Sequence, residues 1–241
     1  MLLEKQMKLA DVIHHDYNLV PVINRFGIVL GFGDGSIESI CNNKNIDIDF
    51  FLTILNAFHD PQLLDKEFLQ SFSARLLIDY LRKTHNYYLA HKIPEIECLI
   101  VEMASESSDK KRSYELLQKF FEEYKNELIK HIDREETRVY PYVIELEEAI
   151  QNNSVSESLI LRSNEYSITS YEEEHDNVEE KLTDLKNIII KYLPPSKNQK
   201  NRFKLLKELT VLEKDLVDHA RIEDLILVPK VELLEKSLTN N

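Results

Sequence analysis

Four of the chain's eight histidines, His85, His131, His175 and His219, recur at near-constant intervals. Two of them open a repeated frame. Superposing His131 on His219 lays LIKHIDREETRVYPYVIEL over LVDHARIEDLILVPKVELL. The shared pattern is Leu at −3, Glu at +4, an acid at +5, Pro at +10, Val at +12 and Leu at +15. Glu at +4 is weak evidence alone, because His91/Glu95 and His175/Glu179 share it. The matched proline and apolar positions belong to His131 and His219 alone, and that coincidence is hard to assign to chance. Residues four apart lie on one helical face, so His131 with Glu135, and His219 with Glu223, can address one metal site. A carboxylate has two oxygens and can bridge two metals, whereas each imidazole binds one. Two bridging glutamates and four terminal histidines then make a ligand set for a metal pair: His85, His131, Glu135, His175, His219 and Glu223. Mixed nitrogen and oxygen ligands suit iron or manganese and leave zinc open.

Such a set needs elements that bring one histidine from each to a common point. Four long segments with apolar residues at helical spacing follow Ser73, at about 73–104, 113–150, 159–192 and 198–238. The polar runs SESSDKKRS, QNNSVSES and LPPSKNQ separate them. Each segment is about 30 residues, on the order of 45 Å of helix, and Pro94 is expected to bend the first. Long helices joined by short connections fold back antiparallel, so the predicted architecture is all-α, an up-down-up-down four-helix bundle.

The four glycines, Gly27, Gly31, Gly33 and Gly35, all fall ahead of this region. They mark a small helical N-terminal module at 1–58, with 59–72 as connector and 73–241 as the bundle. Residues 8–25 read as helix and 26–36 as a tight loop. Ser36 is a predicted N-cap for the helix that starts at Ile37, and Asp47 repeats the cap-plus-apolar pattern. So small a module buries little surface alone, so its loop is expected to pack on the bundle or on a second subunit, giving a homodimer.

Composition bounds the function. Forty-three acidic residues against 30 basic ones leave a formal charge of −13, which excludes a nucleic-acid surface. Hydrophobic residues make up 43% of the chain, too many for disorder. No apolar run reaches membrane-spanning length, so no membrane partner is expected. The N-terminus MLLEKQMKLADV carries no secretory pattern, and the two cysteines, Cys41 and Cys98, read as reduced thiols. The expected location is cytoplasmic.

Other features read as structural. His91, six residues after His85, points away from that residue's face, and His14-His15 is a solvated helix edge. Cys98, among Ile96, Leu99 and Ile100, is expected in the core. Gly31-Phe32-Gly33-Asp34-Gly35 is no phosphate loop, since neither a preceding strand nor a following Lys-Ser/Thr accompanies it. Glu172-Glu173-Glu174 reads as a solvated face, and bundle packing accounts for Tyr87, Tyr88, Tyr140 and Tyr142.

On the His/Glu frames, the bundle resembles the hemerythrin-like HHE cation-binding domain. With the segment DYNLVPVINRFGIVLGFGDGSIESIC (Asp16 to Cys41), the whole chain resembles the repair-of-iron-centres family of di-iron proteins. The resemblance implies two non-haem iron ions, carboxylate-bridged and open to an oxo bridge, held by the six residues above. It also implies a part in iron–sulfur cluster repair and in the response to nitrosative and oxidative stress. Such a protein reacts with nitric oxide, dioxygen or peroxide, or supplies iron, and its partners are damaged iron–sulfur proteins. The alternative is a carrier or sensor that binds dioxygen or nitric oxide without turnover. Cys41 matches a later cysteine of the family, but one departure stands out. The family's leading domain has a Cys-Cys pair soon after Phe-Gly-Ile, and here Gly31 and Phe32 stand where that pair would fall.

Overall fold

A computed structural model describes residues 1–105, 111–165, 168, 178–195 and 199–239, and every regular element among them is helical. No described helix is long and apolar enough to cross a membrane. The N-terminal module contains α1 (Leu9–His15), α2 (Leu19–Arg25), α3 (Ile37–Lys44) and α4 (Ile48–His59). The predicted caps are in place: Ser36 accepts from the Ser39 amide and Asp47 from the Phe50 amide. The single helix predicted over 8–25 is instead two. Asp16 ends α1 in an extended conformation, and its side chain accepts from the Asn18 amide, a local turn that competes with helix. The connector carries a short helix of its own, α5 (Lys66–Ser71), capped by Asp65.

The first bundle helix is α6 (Ala74–Tyr87) and α7 (Ile93–Ser105); the second is α8 (Lys111–Arg134) and α9 (Tyr140–Gln151). The third contains α10 (Glu157–Glu165) and α11 (Val178–Asn187), and the fourth α12 (Lys200–Ile222) and α13 (Val228–Thr239). A five-residue π turn lies in each: Tyr88–Lys92, Glu135–Val139, Ile188–Tyr192 and Glu223–Leu227. In each, the amide just past the turn donates to a carbonyl five residues back, as Tyr140 does to Glu135 and Val228 to Glu223. A proline sits two residues beyond every turn, at Pro94, Pro141, Pro194 and Pro229. Proline has no amide hydrogen and clashes with the carbonyl four residues back, so a ladder already opened to a wider spacing accommodates it. At Pro94, where a bend is expected, the helix carries such a turn.

Two apolar clusters fill the interior. One joins the N-terminal module to the near half of the bundle, including Leu19, Ile23, Phe50 and Phe51 with Leu77, Leu81, Val139, Val143, Ile226 and Val231. The other fills the far half, with Tyr88, Ile96, Leu128, Leu182, Leu205 and Leu216 among its members. The first helix runs from near to far (Leu81, then Tyr88) and the second from far to near (Ile132, then Val139). The third returns outward (Leu159, then Leu182) and the fourth inward (Leu216, then Ile226). The order reverses at each helix, as antiparallel neighbours require.

The module is seated on the bundle. The Phe26 ring stacks on Tyr80 of α6, centroids 5.3 Å apart, and meets Phe51 edge-on. Val29 and Leu30 of the glycine loop remain exposed. Gly31 has φ +96°, a conformation that L side chains rarely adopt, so a cysteine there would strain the loop as it stands. Cys98 is a correction: it is exposed rather than in the core. Ile96, Leu99, Ile100 and Met103 occupy the buried stripe of α7, and Cys98 falls on the other side. His175 and Glu172-Glu173-Glu174 lie outside the described residues.

Candidate metal centre

The layer between the two apolar clusters is polar. It holds His85 from α6, Glu135 at the start of the second helix's π turn, His219 from α12, and Glu223 at the start of the fourth helix's π turn. All four are buried. Each offers one ligand atom, and these four atoms lie within 4.8 Å of one another. His131, one turn before Glu135 on α8, joins through that carboxylate. The geometry thus brings together five of the six residues singled out from sequence.

Each oxygen of Glu135 faces a different imidazole. Oε2 lies 3.1 Å from His85 Nε2, and Oε1 lies 3.1 Å from His131 Nε2. That is the disposition a bridging carboxylate requires. Glu223 Oε2 stands 3.3 Å from His219 Nε2, while its Oε1 accepts the Tyr140 hydroxyl at 2.7 Å. His85 and His219 direct their Nε2 atoms at each other across 3.2 Å. Two N–H groups cannot face one another at that distance, so at least one of these nitrogens turns a lone pair inward.

The supporting shell is built from neighbouring residues. Glu136, the acid at +5 in the repeat, reaches across to the first helix and accepts from His85 Nδ1 at 2.8 Å. Its second oxygen accepts from Arg82 Nε, also at 2.8 Å. A carboxylate behind Nδ1 fixes the tautomer and aims Nε2 into the site. Tyr140 spans the layer: its ring stacks on His85 at 5.6 Å with planes 6° apart, while its hydroxyl serves Glu223. His131 differs from His85, because Arg134 lies 3.4 Å from its Nδ1. A guanidinium has no acceptor for an Nδ1–H, so ligation through Nε2 requires Arg134 to withdraw.

The electrostatics follow the same geometry. Burial opposes charge on His85, but hydrogen bonds to Glu135 and Glu136 override it and push its pKa up to about 9. His131 is raised in the same sense, burial again being outweighed by Glu135. Burial would raise Glu135, yet His131 and His85 hold it well below the usual carboxylate range. The residues fit a bound metal. Donors are mixed nitrogen and oxygen, buried and convergent. Glu223 Oε2 and His219 Nδ1 are also enclosed without a hydrogen-bond partner among the described residues.

Spacing along the sequence assigns no role to Glu136, Arg82 or the Tyr140 hydroxyl. Glu136 did leave a signal, the acid at +5 of the repeat. Arg82 left none. His14, His15 and His91 are exposed and away from the site, as expected. Cys41 is buried, and burial, helped by Asp47, pushes its thiol up to about 11. It is therefore a poor thiolate.

Comparison with known proteins agrees with this geometry. The family model for the hemerythrin HHE cation binding domain matches residues 76–231. The chain is also 20% identical over 225 residues to the iron–sulfur cluster repair protein ScdA of Staphylococcus haemolyticus, spanning 92% of this chain and 96% of that protein.

Proposed function

The chain belongs to the hemerythrin HHE cation-binding family, and on that premise we propose that it is a non-haem di-iron protein of iron–sulfur cluster repair and stress defence. The observation that carries this reading is the buried convergence of His85, Glu135, His219 and Glu223 on one point. The end-to-end match to a cluster repair protein supports it. In this reading His85, His131, His175 and His219 would be the terminal ligands and Glu135 and Glu223 would bridge. Two iron ions bound by these residues would supply redox-active, Lewis-acidic positions for a small ligand such as nitric oxide, dioxygen or peroxide.

The chain's own residues supply the rest. Glu136 and Arg82 orient His85. The Tyr140 phenol holds Glu223 and walls the layer with its ring. The apolar clusters on either side exclude bulk water and strengthen every charge interaction between them. A damaged iron–sulfur protein is the partner this reading implies.

Purified protein should contain about two iron per chain, and Glu135→Ala/Glu223→Ala should lose most of it, since ligand removal is what the reading tests. Full iron content in that double variant would overturn the assignment. The departure at Gly31 and Phe32 favours a second reading, a carrier or sensor without turnover, because no vicinal thiol pair is present. Anaerobic mixing of the diferrous protein with nitric oxide separates the two. Repeated formation of nitrous oxide with a supplied reductant marks an enzyme, and a stable reversible adduct marks a sensor.

A further inference from the structure

α2 of the N-terminal module ends on a buried arginine. The side chain of Arg25 is 1% exposed and pairs with Asp215 of α12 across the seam between module and bundle. Its other terminal nitrogen lies 3.4 Å from the Tyr80 hydroxyl. Its guanidinium carbon stands 5.0 Å from the Tyr87 ring centroid and 5.8 Å from that of Tyr88.

Two of these partners border His219. Asp215 lies one turn before it within the unbroken α-helical stretch of α12, so the two share a face. Tyr88 sets its ring against the His219 imidazole, centroids 5.9 Å apart and planes at 73°. That tyrosine is fully buried, and its hydroxyl has no hydrogen-bond partner among the described residues. Packing alone holds the ring, and the guanidinium is part of that packing. A planar, permanently charged fork can grip an acid and cover an aromatic face at once, which a lysine cannot do.

We propose that Arg25 is a positioning residue of the metal centre: it sets His219 through Asp215 and Tyr88, so the N-terminal module governs how tightly the centre keeps its metal. The inference rests on His219 being a ligand.

The test loads metal-free full-length protein with cobalt(II) and follows the visible absorption and the rate of release to a chelator. Arg25→Gln should release cobalt about tenfold faster, the lower bound for losing a group that orients a ligand, with a changed visible band. Arg25→Met/Asp215→Leu removes both charges and strands neither, so it keeps the fold and should release as fast. Leu9→Ala loosens the module's core away from the pair and should release at the wild-type rate. Wild-type release from both pair variants, or equal acceleration by Leu9→Ala, would overturn the proposal. His219→Ala separates the two readings. Unchanged release there defeats the ligand assignment and the proposal with it. Fast release there with wild-type behaviour in the pair variants defeats the role of Arg25 alone.

Discussion

At the scale of single residues, the centre is a set of charges held by one another, and proton occupancy must tune the metal-free protein. His85 sits at about 9 against an ordinary 6.5, so its charged form stabilises the fold fully below 6.5, and that contribution is lost as pH rises through about 9. Glu135 and Glu136 are held below the ordinary 4.5, so their contribution is present above 4.5 and lost on acidification. Metal-free protein should therefore melt highest between these limits, with the melting temperature falling from pH 6.5 to 9; thermal scans in a pH series check this. Tyr140→Phe removes the donor to buried Glu223 Oε1 and should cost about 1–3 kcal/mol, read by urea unfolding of the metal-free protein. His131/Glu135 and His219/Glu223 were legible in the sequence because both members of each pair sit on one helix. Glu136 on His85 was not, because that contact crosses between helices, and one-dimensional spacing carries no information about which face meets which neighbour.

At the scale of elements, the helices and their caps were legible, and the π turns were not. A period-3.6 reading assumes an unbroken ladder, and one added residue within a turn leaves the apolar count on either side intact. The prolines at +10 of the repeat were the visible trace. Two of the π turns start on the proposed bridging glutamates, in keeping with the concentration of such turns at functional sites. Because the turn in the second helix is one extra residue in an otherwise continuous helix, deleting exposed Thr137 from it should restore a four-residue ladder and preserve the bundle, while loosening Tyr140 from Glu223. Deleting exposed Asn126 from the regular part of α8 should rotate everything after it by roughly 100°, the step per residue of a 3.6-residue turn, and abolish folding. Circular dichroism of the two deletions distinguishes these outcomes; equal damage from both would show that the wide turn is not a tolerated insertion. Cys98 shows the same limit at smaller range. Its apolar neighbours suggested burial, but they already fill the stripe that faces inward.

At the scale of the whole molecule, the module and the bundle share one core, so they should unfold together. Phe26→Ala removes the ring stacked on Tyr80 and should cost about 3 kcal/mol, toward the low end for a partly buried aromatic. It should lower a single calorimetric transition rather than split it in two, and a separate early transition would show that the module unfolds by itself. The seam was partly legible, since a small glycine-rich module with apolar residues called for a partner. The pairing that closes it was not, because Arg25 and Asp215 stand 190 positions apart and no local pattern links them. That distance has a consequence for the order of events during synthesis. The arginine leaves the ribosome long before its acid exists, and a chain closure so long is entropically slow. Until the last helix arrives, the early segment carries a cation with nowhere dry to put it. The charge pair that completes the seam can therefore close only once the fourth helix is present, after Phe26 has had α6 to pack on, and its closing reports that all four helices of the scaffold exist.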